Sequence, residues 1–181
     1  MSKLFVISGS SGVGKGTLIK EFLKRNPEYK LSVSCTTRKP RVGEIDGENY
    51  FFISKEQFLS YINQNEFLEW AEFSGNMYGT QKTYVQEKLA EGKKIILEID
   101  TQGALNVKKV MPEAILIFIL PPSYEELEAR LRGRQTESEE AIQKRLEFTR
   151  LELENSKSFD FTIVNDELNK AVGELELIMN K

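Results

Sequence analysis

The chain of 181 residues contains no histidine and only one cysteine, Cys35. Without histidine it lacks the commonest general base and the commonest metal ligand, which argues against triad hydrolases and zinc enzymes. Chemistry that works by positioning and charge neutralisation stays open, and phosphoryl transfer is of that kind. A single cysteine excludes an internal disulfide and fits a reducing compartment. Neither charge sign dominates: 28 acidic against 25 basic residues give a net charge of -3, so a broad nucleic-acid-binding face is not expected. Long apolar runs are missing too. The longest, AILIFIL from Ala114 to Leu120, is far too short to span a bilayer. The first residues, MSKLFVIS, run straight into a glycine loop and leave no room for a signal peptide, so a cytoplasmic protein is expected.

What is present is an ordinary globular mixture, 40% apolar and 29% charged, long enough for one domain with a real core. Leu4 to Ile7, Ile95 to Ile99, Ile115 to Leu120 and Phe161 to Val164 are short apolar runs of the kind that form buried parallel strands. Helical stretches separate them: Lys15 to Arg25, Thr83 to Glu91 before Gly92, and Thr101 to Val110. A capping box, Ser123 with Glu126, opens a helix to Arg132; Ser138 opens a long one to Ser156; Asp166 to Met179 is the last. Strands alternating with helices predict a parallel α/β sheet. Residues 32–80 break the rhythm, with a turn-rich RKPRVGEIDGEN, a strand-like YFFI and a helix capped by Ser54 with Gln57. They read as a small, partly β insertion. Residues 133–140, GRQTESEE, read as a polar, flexible connection.

GSSGVGKGT, from Gly9 to Thr17, lies between the first strand and the first helix, the context a phosphate-gripping loop requires. Glycines let backbone N–H groups face inward, and the helix N-terminus adds partial positive charge. Lys15 adds a full charge, which a plain glycine turn would not need. The pattern departs in one place: the hydroxyl expected after Lys15 is missing, and Gly16 stands there. Only Thr17, roughly 100° further round the helix, can serve a metal. Mg²⁺ often binds mainly through substrate phosphates, so the ion is expected to arrive with ATP. Close packing of the helix on the strand is a second reason for Gly16, and both can hold.

The eight arginines fall mainly in two places: Arg38 and Arg41 in TTRKPR, and Arg130, Arg132, Arg134 and Arg145 around the polar connection. Arginine reads phosphate bidentately, so two clusters suggest two phosphate-handling surfaces. Arg134 and Arg145 fit a lid that closes over transferring phosphates. Arg132, among Glu125, Glu126 and Glu128, fits a solvated charged helix face better.

Ser34 to Glu44 (S-x-T-T-R-x-P-R-x-G-E), Gly47 to Tyr50, Phe67 to Glu72 (FLEWAE) and Gly75 to Thr80 resemble guanylate kinase. So do Glu98 to Gly103, Ile117 to Ser123, Leu127 to Arg134 and Ile163 to Asp166, over nearly the whole chain. The resemblance implies transfer of the γ-phosphoryl of Mg-ATP to GMP, giving ADP and GDP. The implied fold is a P-loop kinase core, a parallel five-stranded sheet flanked by helices (1–31, 81–125 and 151–181). To it are added a mixed α/β GMP-binding insertion (32–80) and a helical lid (126–150). The resemblance also implies site residues. Gly9, Ser10, Ser11, Gly12, Val13, Gly14, Lys15, Gly16 and Thr17 would hold ATP, with Arg130 nearby and Asn165 near its adenine. Arg38, Arg41, Tyr50 and Tyr78 would hold the GMP phosphate. Ser34, Glu69 and Thr80 would read guanine, with Asp100 beside the acceptor. Lys15, Arg41, Arg130, Arg134 and Arg145 would carry catalysis, and Thr17 would touch Mg²⁺ weakly. Guanine offers N1–H and N2–H₂ donors beside an O6 acceptor, so Glu69 can accept both donors while Ser34 and Thr80 donate to O6.

No nucleic acid, membrane or obligate protein partner is expected. Two other readings exist: a guanylate-kinase-like scaffold that has lost catalysis, disfavoured by Lys15, Arg134 and Arg145, and another P-loop kinase, disfavoured by the insert from Ser34 to Thr80. Against the family pattern, Ser10 replaces a frequent proline, Glu98 a frequent aspartate, and Gln135 a lid glycine. Cys35 reads as a small buried filler.

Overall fold

The structure is a computed structural model that describes residues 3–10, 12–133, 140, 142–143, 146–147, 150 and 154–180. It does not describe the side chains of Tyr124, Leu127, Arg130 and Leu131. The first strand, β1 (Lys3–Gly9), is buried on both faces, with Phe5, Val6 and Ile7 fully inaccessible. Side chains alternate across a strand, so Phe5 and Ile7 join one core layer and Leu4 and Val6 the other. An uninterrupted apolar run follows directly from having helices on both sides.

Helix α1 (Lys15–Arg25) is succeeded by β2 (Tyr29–Leu31), and then by β3 (Cys35–Thr36), β4 (Phe51–Phe52), α2 (Lys55–Asn63), β5 (Phe67–Phe73) and β6 (Asn76–Gln81). The chain continues through α3 (Lys82–Ala90), β7 (Lys94–Glu98), α4 (Thr101–Val110), β8 (Ile115–Leu120), α5 (Tyr124–Gly133), β9 (Phe161–Val164) and α6 (Leu168–Met179). Strands β2, β7, β1, β8 and β9, in that order, form a parallel five-stranded sheet. With β1 central, the connections turn opposite ways on its two sides, so its carboxyl end is where open α/β sheets hold ligands.

Four of these strands coincide with the apolar runs of the sequence. The fifth, β2, has no run to reveal it, because only Tyr29 of its three residues is buried. Tyr29 holds this edge in place. Its ring packs edge-on against Phe22, centroids 5.0 Å apart, and its hydroxyl donates to the Met179 carbonyl at 2.8 Å. The Lys94 ammonium donates to the same hydroxyl at 3.1 Å.

The second sheet, in the order β4-β3-β6-β5, is built from residues 35–81. β5 and β6 form a hairpin across Ser74 and Gly75, both at positive φ (53° and 75°), as a two-residue type I′ turn needs. The Ser54 hydroxyl caps α2 by accepting the Gln57 N–H at 3.1 Å. This sheet and α2 have their own core of Cys35, Phe58 and Phe67. Cys35 is indeed a buried filler, and burial pushes its thiol up to about 12. Ser123 caps α5 by accepting the Glu126 N–H at 3.0 Å. The long helix expected from Ser138 starts outside the described residues.

Tyr29→Phe should lower stability by about 1–3 kcal/mol, because the Met179 carbonyl loses a buried donor. Urea denaturation measures this; a loss within error of zero would mean that the hydroxyl does not tie β2 to α6.

Candidate active site

The loop after β1 is shaped by close approach. A Cβ on Gly9 would stand 2.6 Å from the Ile119 carbonyl oxygen, so the chain can pass β8 only without a side chain. Gly12 and Gly14 take left-handed φ values of 86° and 88°, and Gly14 is the N-cap of α1. The Asn165 amide donates to the Val13 carbonyl at 2.8 Å, and a Cβ on Gly14 would lie 2.7 Å from that amide nitrogen. Asn165, 8% exposed, therefore grips the loop backbone from the end of β9. The loop encloses a cavity of about 270 Å³ lined by Gly9, Ser10, Gly12, Gly14, Lys15, Gly16, Thr17 and Glu98. Ser11 lies outside the described residues. The Ser10 hydroxyl is buried and has no partner among the described residues. Lys15 Nζ donates to the Ile99 carbonyl at 3.4 Å.

Gly16 corrects one expectation. Its added Cβ would meet nothing nearer than Glu98 Oε1 at 3.6 Å, an ordinary contact, so close packing of helix on strand does not require glycine there. Its bareness instead leaves open the space between loop and carboxylate. Thr17 is exposed and lines the same cavity.

A second cavity, about 430 Å³, opens between the two sheets. Ser34, Tyr50, Glu69, Tyr78 and Asp100 line it, and so does Glu98, which thereby borders both cavities. Arg38 sits at its edge, 5.5 Å over the Tyr50 ring, while the Tyr50 and Tyr78 rings are 6.0 Å apart. The side chain of Arg41 is exposed. Thr80 is placed differently from expectation. It is fully buried, and its hydroxyl donates to Glu69 Oε1 at 2.7 Å. The cause is register: Glu69 and Thr80 are direct cross-strand partners, so Thr80 reaches the carboxylate rather than the cavity. Asp100 caps α4, accepting the Gly103 N–H at 2.7 Å.

Two carboxylates at this site are tuned in opposite directions. Glu44 accepts a two-pronged bond from Arg38 (2.8 and 3.0 Å) and the Arg41 N–H at 2.7 Å, which together hold its carboxyl down at about 2. Glu69 is only 7% exposed, and burial, with Asp100 nearby, raises its carboxyl to about 7 against the pull of Thr80. A carboxyl this buried and this close to neutrality, at a cavity wall, is a group whose charge a ligand can set.

A guanylate kinase family model matches residues 1–181. The chain belongs to the guanylate kinase family. It is 56% identical over 175 residues to a guanylate kinase of Synechococcus sp. (strain CC9311), covering 97% of this chain and 92% of that one. A guanylate kinase of Prochlorococcus marinus is 52% identical over 176 residues, covering 97% and 96%. Among solved structures, guanylate kinase from Anaplasma phagocytophilum matches with a TM-score of 0.76 at 30% identity, over 99% of this chain and 85% of that chain. A shikimate kinase from Bacteroides thetaiotaomicron, TM-score 0.52 at 15% identity over 99% of both chains, shares the fold alone.

Within this family frame, the Arg130 side chain, Arg134, Arg145 and Gln135 lie outside the described residues. Three contributions were not singled out from the sequence. Glu44 orients Arg38, Asn165 clamps the loop, and Glu98 joins the two cavities. Glu44 stands in the R-x-G-E stretch and Glu98 in E-I-D-x-Q-G, but neither motif says which group each carboxylate faces.

The raised carboxyl of Glu69 has a stability consequence. As pH rises, the unfolded chain loses this proton near 4.5 and the folded protein only near 7, so stability falls across that interval and stays reduced above it. Glu69→Gln should therefore gain stability over the parent by about 1.4 kcal/mol per pH unit between pH 5 and 7, levelling above. Denaturation at several pH values tests this; a gap independent of pH would show that Glu69 titrates normally.

Proposed function

We propose that this protein transfers the γ-phosphoryl group of Mg-ATP to GMP, with ATP on the loop at Gly9–Thr17 and GMP in the cavity walled by Glu69. Family membership supports the reaction. The observation that carries the assignment of sides is the buried Glu69 carboxylate in a cavity that shares Glu98 with the glycine-loop cavity. On this reading, residues 1–31, 81–125 and 151–181 are the core, 32–80 selects the acceptor and 126–150 is the lid.

The chemistry is positioning plus charge neutralisation. Loop N–H groups, the N-terminus of α1 and Lys15 hold the donor phosphates. The Ser10 hydroxyl, which has no partner among the described residues, adds a donor that a phosphate oxygen would satisfy. Thr17 and Glu98 line the same cavity, and a hydroxyl with a carboxylate is a donor set that fits a hard cation, so they would hold Mg²⁺ together with the nucleotide. When bound, Mg²⁺ supplies neutralisation of charge on the phosphate oxygens. Arg38, Arg41, Tyr50 and Tyr78 would hold the acceptor phosphate, with Arg130, Arg134 and Arg145 closing from the lid. The GMP phosphate is an anionic nucleophile, so no general base is required, and the lack of histidine is no obstacle.

Glu69 as carboxylate accepts guanine N1–H and N2–H, and Ser34 donates to O6. Thr80 contributes indirectly by fixing Glu69, and Asp100 lies beside the acceptor. AMP has neither donor and would leave Glu69 unpaired, a mismatch worth up to about 10⁴-fold. Two free nucleotides as substrates fit a cytoplasmic enzyme, and no helix among the described residues is long and apolar enough to cross a membrane.

A coupled assay with ATP and GMP, AMP, CMP or UMP should show GMP as the preferred acceptor by several orders of magnitude. ADP release no faster with GMP than with AMP would refute the acceptor assignment. Lys15→Ala should reduce kcat by about 10²–10³-fold, as expected for one lost charge-stabilising donor, with an unchanged circular-dichroism spectrum. A kcat equal to the parent's would remove Lys15 from the mechanism.

A further inference from the structure

Gly103 lies inside α4, is buried and is not among the glycines at positive φ. Its backbone conformation is open to any L-residue, and glycine is the poorest helix former after proline. Conformation therefore does not account for glycine here. Space does: a Cβ on Gly103 would stand 3.0 Å from Glu69 Oε2 and 3.4 Å from Asp100 Oδ1. The other Glu69 oxygen is already tied, accepting the Thr80 hydroxyl at 2.7 Å. The position of α4 is tied as well, since Asp100 caps it through the Gly103 N–H. The carboxylate is thus held on one oxygen by β6 and bounded at the other by the bare first turn of α4.

We propose that Gly103 is a specificity-positioning residue, whose missing side chain lets the Glu69 carboxylate lie in the plane needed to accept both guanine N–H groups. The inference rests on the reading of Glu69 as the guanine acceptor. A Cβ at 103 requires Oε2 to give by a few tenths of an ångström, and with Oε1 held by Thr80 the carboxylate gives by turning about that bond. Turning misaligns the bond to the 2-amino group together with the bond to N1–H. IMP, which has N1–H and no 2-amino group, makes one bond to Glu69 and has less to lose. Asp at position 69 retracts the carboxylate by one methylene and removes the conflict.

Isothermal titration of the full chain with GMP, IMP and ATP tests this in Gly103→Ala, Glu69→Asp and the double variant, with Glu69→Gln as control. Gly103→Ala should weaken GMP about tenfold. It should weaken IMP less, and should leave ATP unchanged, which also reports an intact fold. In the Gly103→Ala background, Glu69→Asp should not weaken GMP further, a departure from additivity of about threefold or more. If Glu69→Gln weakens GMP but Gly103→Ala does not, or the cycle is additive, the role of Gly103 is wrong and the acceptor reading survives. If Glu69→Gln leaves GMP affinity unchanged, the acceptor reading falls and this inference falls with it.

Discussion

Gly9 ends β1 hard against the backbone of β8, with no room for even one carbon between its Cα and the Ile119 carbonyl. That contact decides where the chain can go next. It must curl at the carboxyl end of the central strand, and Gly12 and Gly14 supply the left-handed turns that bring it into α1. Asn165 then holds the curl from the far side by binding the Val13 carbonyl. Lys15, the α1 N-terminus and the buried Ser10 hydroxyl converge on one cavity as a consequence. The five-stranded sheet makes this possible because β1, β8 and β9 are in register and rigidly packed.

The second site works by contrast in environment. Glu44 and Glu69 are the same residue type in the same small sheet-and-loop unit. Glu44 faces a guanidinium and a backbone N–H and stays ionised. Glu69 faces one hydroxyl and another acid inside the protein and is poised near neutrality. Ion pairing keeps the first as a fixed brace for Arg38, while burial leaves the second with the Thr80 hydroxyl as its side-chain donor. Burying an acid this way destabilises the folded protein at pH values where the carboxyl ionises.

The core strands were legible because parallel strands covered on both faces read as unbroken apolar runs, at Leu4–Ile7 and Ile115–Leu120 above all. The caps of Ser54 and Ser123 were legible because capping acts over three residues. β2 was not, since an edge strand with one buried side chain leaves no pattern, and Tyr29 is recognisable only by its partners Phe22 and Met179. At the site, the loop, Ser34, Glu69 and Asp100 were legible as motifs. The direction of the Thr80 hydroxyl, the hold of Asn165 on Val13 and the bond between Glu44 and Arg38 were not. Each depends on a partner brought close by a fold whose details local spacing does not encode. Gly16 shows the reverse error: packing was a reasonable local reason for a glycine, and the neighbours do not require it.

By itself the sequence determined the class of fold, the glycine loop and the family, because these depend on short-range periodicity and on residues whose spacing along the chain is their geometry. Tertiary structure alone decided which oxygen of Glu69 is held and by what. It also decided that Glu98 borders both cavities and that α4 brings Gly103 to where an added Cβ would stand 3.0 Å from Glu69 Oε2. Those are distances between segments far apart in the chain, fixed by sheet register and helix packing, and a difference of a few tenths of an ångström changes their chemistry.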